Sequence, residues 1–237
     1  YIMCAEGGTG YNHCVTMGRS EHVWGPYERD PENPILTSVP GESYERHNPD
    51  HLKPKYYNPA SVLQKSGHGS YVETPDGEVY MVFHTSRPFV PELCCTLGRE
   101  TAIQKMIWTG DGWLRSASGS NMAQEETPES SLPECPLPRI PDFDDFDSGE
   151  LGSWYYAPRI MPQRFADVKA RPGWVRLRGQ ESRTSLNKVS ILARKLTSVY
   201  ARITTKMEFQ PEVHQHSAGL ILYYDNMNYI NLRKYYS

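Results

Sequence analysis

The sequence predicts an all-β fold, and three observations support this prediction. The 237 residues include 16 Tyr, 5 Trp, 19 Pro and 18 Gly, a composition typical of aromatic-rich strands joined by many turns. Short apolar runs recur between Gly- and Pro-containing segments, as expected for strands and hairpins. No stretch keeps the 3.6-residue apolar period of an amphipathic helix.

The first half of the chain is a series of short strands in this interpretation. The predicted strands are Tyr1–Ala5, His13–Met17, Gly69–Glu73, Val79–His84, Ala102–Trp108 and Trp113–Arg115. Pro75-Asp76-Gly77 separates the third run from the fourth, and Gly110-Asp111-Gly112 separates the last two. Both are sequences that favour tight turns, so each pair is predicted to form a hairpin.

The second half is predicted to be a separate β-domain that follows a linker. Residues 119–141 are dominated by Ser, Glu and Pro, which favours an extended linker over a packed element. Trp174–Arg178, Tyr200–Phe209 and Ala218–Tyr224 are strand-like, and the second of these alternates as a half-buried sandwich strand would. We therefore predict a first domain at 1–118 and a second at 142–237.

Composition excludes several classes of protein. A net charge of −3 without a basic face argues against nucleic acid as a partner. No apolar run approaches the roughly 20 residues that span a bilayer. The five cysteines have no CxxC spacing, which favours reduced thiols over a zinc site or a complete disulfide framework. The chain begins with Tyr, so we expect sequence upstream, and the compartment, cytoplasmic or extracellular, stays open.

Three residues are candidates for function. Glu6 ends an apolar run and precedes two glycines, so a partly desolvated carboxyl could donate a proton there; a plain turn glutamate is the alternative. His68, flanked by glycines, could ligate a cation, orient a carboxylate or be a structural residue. Arg99 could bind sugar hydroxyls or a carboxylate, or form an ion pair with Glu100 or another neighbour. Chemistry alone leaves these alternatives open.

These candidates lie in segments that together resemble one known family. In the first half the segments are AEGGTGYNH (5–13), WGPYE (24–28), SGHGSYVETPDGE (66–78) and LGRETAIQKMIWTGDGW (97–113). In the second half they are DDFDSGELGSWYYAPR (144–159), ARPGWVRLRGQES (170–182) and SAGLILYY (217–224). In this order they resemble glycoside hydrolase family 43, and more narrowly its β-xylosidase branch, over nearly the whole chain.

The resemblance implies the C-terminal part of a five-bladed β-propeller with its N-terminal blades missing, then a β-sandwich truncated at its C-terminus. It implies that Glu6 is the general acid, that His68 holds a calcium ion directly or through water, and that Arg99 contacts sugar hydroxyls. Family members invert the anomeric centre, so a second carboxylate must activate water. We expect that base, and a third acidic residue that tunes the acid, upstream of this chain, and therefore expect the piece alone to be inactive.

The resemblance also implies a substrate class. We expect an exo-β-1,4-xylosidase that acts on xylo-oligosaccharides or arabinoxylan fragments, with an α-L-arabinofuranosidase or a non-catalytic carbohydrate-binding relative as alternatives. His214 stands where the family usually has an aromatic residue in a loop that closes the pocket. It could stack on a sugar or hydrogen-bond to it, or be a solvated loop histidine. No membrane partner is expected, and a homo-oligomer is left open.

Overall fold

The computed structural model describes residues 1–39, 57–95 and 97–237. They form two compact units, Tyr1–Cys135 and Pro136–Ser237. Within the described residues the regular structure consists of β-strands and a 3₁₀ turn at Pro162–Arg164, without an α-helix. The prediction of an all-β chain is therefore confirmed.

The first sheet carries the Glu6 segment. It consists of β1 (Ile2–Glu6), β2 (Cys14–Arg19), β3 (Glu28–Arg29) and β4 (Leu36–Thr37). β1 and β2 pair antiparallel over the full length of β1, and β3 and β4 both pair with β2. The two strands predicted in this part of the chain are confirmed within one or two residues.

The second sheet is a four-stranded antiparallel meander. Its strands are β5 (Gln64–Glu73), β6 (Val79–Ser86), β7 (Glu100–Trp108) and β8 (Leu114–Ser116), paired in chain order. Glu73 pairs with Val79 across the first turn, and Trp108 pairs with Leu114 across the second. Gly77 and Gly112 have φ values of 81° and 80°, which glycine adopts without steric cost. Both predicted hairpins are confirmed.

One hydrophobic core joins the two sheets of the first unit. Its buried side chains come from β2, β4, β6, β7 and β8 and from the adjoining loops: Val15, Met17, Ile35, Leu36, Leu63, Val79, Met81, Phe83, Met106, Trp113, Leu114 and Ala123. β5 packs against β1 and β2. This packing brings the end of β1 next to the first half of β5.

The segment after β8 is hydrogen-bonded to the two sheets of the first unit. The Asn121 carbonyl accepts a hydrogen bond from the Thr37 amide at 2.9 Å, and the Thr127 hydroxyl accepts one from the Lys105 amide at 2.8 Å. These bonds satisfy backbone groups that the sheets leave unpaired. The Ser131 amide also donates a hydrogen bond to Glu78. The predicted linker therefore lies on the sheets at least as far as Ser131. The domain boundaries at 118 and 142 stay predictions.

The second unit contains two short antiparallel pairs among its described residues. β9 (Ala166–Asp167) pairs with β10 (Arg176–Leu177), and β11 (Ser217–Tyr223) pairs with β12 (Tyr229–Tyr235). The strand predicted at Ala218–Tyr224 is confirmed. The strand predicted at Tyr200–Phe209 is wrong, because this mostly exposed segment has no ladder partner and alternation alone cannot pair a backbone.

Two smaller expectations concern the whole described chain. Searching the described residues for a helix long and apolar enough to cross a membrane finds none. All five cysteines are described, and each is a free thiol: Cys4, Cys14, Cys94, Cys95 and Cys135. This agrees with the prediction of reduced thiols.

Candidate functional site

Glu6 lies at the end of β1, where the chain turns sharply. It pairs with Cys14 of β2, and its Oε1 accepts a hydrogen bond of 2.9 Å from the Thr16 hydroxyl. Gly7 follows with a φ of 78°, and a Cβ at this position would lie 2.5 Å from the Asn12 carbonyl oxygen. The turn that presents the Glu6 carboxyl group therefore requires glycine at position 7.

His68 lies in an irregular stretch of β5. The register of β5 against β6 shifts between Gln64 and Gly67 and again between Gly67 and Ser70. β5 carries one extra residue in each shift, which is the signature of a β-bulge. Lys65 and His68 have left-handed φ values of 56° and 53°, an uncommon conformation for non-glycine residues. This double bulge re-aims the His68 side chain, which is exposed.

Three imidazoles and one guanidinium surround the bulge. The His68 ring lies 5.4 Å from that of His84, measured between ring centroids. Burial, and then the charges of Arg99, His68 and His84, lower the pKa of His13 to about 4. Burial, then Arg99 and His68, also lower the pKa of His84. The two inner imidazoles are consequently neutral at neutral pH.

Arg99 is exposed, and its position leaves it available to a ligand. The alternative predicted for it, an ion pair with Glu100, is not formed, because Glu100 accepts a fork of bonds at 2.8 and 2.5 Å from Arg87. Within the described part of the chain, no carboxylate pairs with Arg99. Its charge acts instead on His13 and His84. Glu6, His68 and Arg99 are thus all in the first unit, with His68 and Arg99 around the same bulge.

A groove of about 420 Å³ runs between β1 and β5. Its lining residues are Tyr1, Met3, Ala5, His68, Gly69, Ser70 and Tyr71. The β1 residues among them alternate along the strand and share one face, whereas Glu6 belongs to the opposite alternation. Of the candidates in the first unit, His68 therefore lines the groove, whereas the Glu6 side chain lies on the opposite face of β1, where Thr16 donates to it.

His214 lies in the second unit, at an exposed turn before β11. The turn is closed by a hydrogen bond of 2.8 Å from the His216 amide to the Val213 carbonyl. The exposure of His214 agrees both with a solvated loop histidine and with a residue that contacts a bound sugar. The role of His214 toward a sugar therefore stays a prediction.

The donor atoms around His68 are few for a calcium ion. Calcium takes six to eight oxygen ligands, whereas the described lining of the groove supplies hydroxyl groups but no carboxylate. The described residues contain no group of three His, Cys, Asp or Glu side chains that could hold a metal. These residues do not by themselves fit a calcium ion, and His68 offers a single nitrogen donor.

Two residues of this cluster escaped the sequence-based interpretation. His13 closes the AEGGTGYNH segment, and His84 closes a predicted strand. Both are histidines at ends of apolar runs, yet a lone histidine there carries no specific signal. Only the tertiary structure shows that they converge near His68: His13 contacts Gly67 of β5, and His84 pairs with Gly67 from β6.

Comparison with known proteins gives the class of protein to which this fold and site belong. Residues 1–114 match the family described as "Glycosyl hydrolases family 43". Residues 143–237 match the "Beta xylosidase C-terminal Concanavalin A-like domain". The chain belongs to glycoside hydrolase family 43, and it comprises part of the family's propeller followed by its concanavalin A-like β-sandwich domain.

Individual relatives agree with this membership. A beta-xylosidase of Bacillus subtilis is 35% identical over 98% of this chain and 42% of its own length. A non-reducing end alpha-L-arabinofuranosidase of Bacteroides ovatus is 32% identical over 98% of this chain and 40% of its own length. The crystal structure of a xylan beta-1,4-xylosidase from Bacillus halodurans superposes with a TM-score of 0.82 at 40% identity, covering 98% of this chain and 41% of that one. The chain thus spans about two fifths of the length of these relatives.

Proposed function

We propose that the protein to which this chain belongs is a glycoside hydrolase that releases xylose from the non-reducing end of β-1,4-xylo-oligosaccharides with inversion. The observation that carries the proposal is the order of the two matches, the family 43 domain at 1–114 and the β-xylosidase C-terminal domain at 143–237. The second of these is named for β-xylosidases, which favours xylose-type substrates.

In this proposal Glu6 is the general acid that protonates the glycosidic oxygen as the C–O bond breaks. Its position at the end of β1, directly before the turn that begins at Gly7, supports the role. The Thr16 hydroxyl bonds to Oε1 and limits rotation of the carboxyl group. The water that attacks the sugar must be activated by a carboxylate on the opposite face of the sugar ring.

Arg99 is proposed to hold sugar hydroxyls. Sugars are neutral and rich in hydroxyl oxygens, and a guanidinium offers five N–H donors in a fixed fork. Since the pKa values of His13 and His84 are lowered, Arg99 supplies a positive charge that faces two neutral rings. Its N–H groups can donate hydrogen bonds to sugar hydroxyl oxygens.

A calcium ion near His68 remains a proposal. Because calcium takes six to eight oxygen ligands and His68 offers a single nitrogen, His68 would hold the ion through water or as one of several ligands. If so, calcium added to the chelator-treated full-length protein raises its thermal midpoint and its rate, and the variant His68→Ala loses both effects. Equal responses of the wild type and the variant would rule His68 out as a ligand.

His214 is proposed to contact the sugar in place of the usual aromatic residue. An imidazole has less apolar area than a phenyl ring, so His214→Phe should lower KM for xylobiose while kcat changes little. A variant with unchanged KM would return His214 to the role of a solvated loop residue.

The proposed reaction is tested by comparing the full-length protein with its Glu6→Gln variant on xylobiose and on an aryl xyloside with a good leaving group. Loss of the general acid should lower kcat on xylobiose by about 10²–10⁴-fold and affect the aryl xyloside much less, because that leaving group departs without a proton. Glu32→Gln, at an exposed site, is the control and should match the wild type. Activity of Glu6→Gln equal to that of the wild type on both substrates would show that Glu6 is a turn residue.

The second candidate activity is that of an α-L-arabinofuranosidase, which the Bacteroides ovatus relative favours. The decisive quantity is the ratio of kcat/KM on nitrophenyl β-xyloside to that on nitrophenyl α-L-arabinofuranoside. A ratio well above one supports the xylosidase. A ratio well below one would replace it with the arabinofuranosidase, whereas binding of xylo-oligosaccharides without turnover of either substrate would indicate a carbohydrate-binding relative.

A further inference from the structure

His13 is a buried, neutral histidine that lies beneath the segment of β5 that carries His68. Its side chain is 2% exposed, and its Nδ1 has no hydrogen-bond partner among the described residues. Burial, with the nearby charges of Arg99, His68 and His84, lowers its pKa to about 4, although a hydrogen bond with the Lys65 backbone acts in the opposite direction. The neutral imidazole of His13 is therefore buried beneath the segment of β5 that contains His68.

The contact with β5 is at Gly67, between the two bulges. A Cβ added at Gly67 would lie 2.4 Å from Cδ2 and 2.6 Å from Nε2 of His13, well inside van der Waals contact. Gly67 is outside the left-handed region, so it is space, and not backbone conformation, that requires glycine. The main chain at Gly67 consequently rests directly on the imidazole of His13.

The same contact holds the residue after Gly67 in place. His68 has a left-handed conformation, which a non-glycine residue keeps only where the surrounding structure holds it. Across the sheet Gly67 pairs with His84, whose ring lies beside that of His68. His13 and His84 thus bound the backbone of the bulge from two sides, and His13 does so from a different sheet.

We propose that His13 is a positioning residue whose buried ring holds the double bulge of β5 against β2 and thereby places the His68 side chain in the site. This inference rests on the proposed function for its effect on the reaction. It assigns the last residue of the AEGGTGYNH segment to support of the second sheet. The two candidate segments of the site then act as one unit.

The test is a pair of double-mutant cycles in the full-length protein. Gly67→Ala should lower kcat on xylobiose about tenfold or more, because displacement of a supporting group by about 1 Å can cost up to 10²-fold. His13→Ala vacates the space that the new methyl group needs, so His13→Ala/Gly67→Ala should recover part of that loss. Recovery should be partial, since the Cys14 backbone nitrogen also lies 2.8 Å from the added Cβ.

Gly69→Ala is the matched control. Its Cβ would meet Met81 Sδ at 2.8 Å and Val15 Cγ2 at 3.0 Å rather than His13. His13→Ala should therefore not restore Gly69→Ala. If both cycles show equal coupling, or neither shows any, the positioning role is overturned. His13→Gln, which keeps a polar side chain of similar reach, should fall between the wild type and His13→Ala, and serves if His13→Ala fails to fold.

Two further readouts separate positioning from mere stability. Loss of folded protein lowers the rates on xylobiose and on an activated aryl xyloside equally. A displaced His68 should instead change the ratio of the two rates. An unchanged ratio overturns the role of His13 in the reaction. Absence of any hydrolysis by the wild type would overturn the proposed function. In that case the cycle measured by thermal midpoints still decides whether His13 packs under Gly67.

Discussion

Arg115 and Asp30 form a two-pronged ion pair that ties the loop after β3 to β8. Nη1 lies 2.5 Å from Oδ2 and Nη2 lies 2.8 Å from Oδ1. The Asp30 side chain is fully buried, whereas Glu32, which also contacts Arg115, is 71% exposed. Asp30 therefore has a structural partner that accounts for its burial.

Asp30→Asn is expected to destabilise the first unit by about 3 kcal/mol or more, because it leaves a largely buried guanidinium without its charged partner. The measurement is urea-induced unfolding of the full-length protein. Glu32→Gln is the matched control on the same arginine and should cost less than about 1 kcal/mol, as an exposed ion pair does. Similar costs for the two variants would contradict the importance of burial here.

Gly7→Ala should destabilise the protein more than Gly8→Ala. Both glycines have positive φ values, but a Cβ on Gly7 would lie 2.5 Å from the Asn12 carbonyl oxygen, while a Cβ on Gly8 would meet nothing within 4 Å. We expect about 1–2 kcal/mol for Gly8→Ala from conformation alone. For Gly7→Ala we expect about 2–5 kcal/mol from conformation and overlap together. Equal unfolding midpoints for the two variants would show that the turn relaxes freely.

The Glu78 carboxylate should make the segment after β8 sensitive to acid. Lys105, then the backbone and side chain of Ser131, lower the pKa of Glu78 to about 2. Because this pKa is depressed on folding, the stabilisation is present above the ordinary value near 4.5 and is lost as the pH falls toward 2. The thermal midpoints of wild type and Glu78→Gln should differ at pH 6 and converge near pH 2.

The control for Glu78 is Asp76→Asn in the same turn. Asp76 accepts a single bond of 3.3 Å from Ser131, so its removal should change the midpoint little at any pH. A Glu78→Gln difference that persists unchanged down to pH 2 would show that the charge of Glu78 does not hold the segment.

Arg99→Ala should lower kcat/KM on xylobiose by about 10- to 100-fold, the range expected for losing a charged hydrogen-bond donor to the substrate. Arg99→Lys should recover only part of this, since an ammonium cannot form the guanidinium fork. Arg87→Ala removes an exposed arginine engaged by Glu100 and should change kcat/KM less than threefold, roughly the scale of an exposed ion pair. If Arg87→Ala were the more damaging variant, the assignment of Arg99 would be wrong.

Local signals sufficed for much of the fold. The turn at Asp76-Gly77 and the one at Asp111-Gly112 are encoded by residues within the turns themselves, so both hairpins are predictable. Tyr200–Phe209 shows the limit of the same reasoning. Its alternation predicts a strand face, but pairing depends on a neighbour that the alternation does not specify.

By itself the sequence determined the all-β class, the hairpins, the family and the identity of the three candidate residues in the first unit, because these depend on turn chemistry and on motifs of consecutive residues. Only the tertiary structure decided that Glu100 is engaged by Arg87, that β5 is doubly bulged at Lys65 and His68, and that His13 lies beneath Gly67. The physical reason is distance along the chain. His13 and Gly67 are 54 positions apart, and their contact arises from the shared core of two sheets rather than from any local preference.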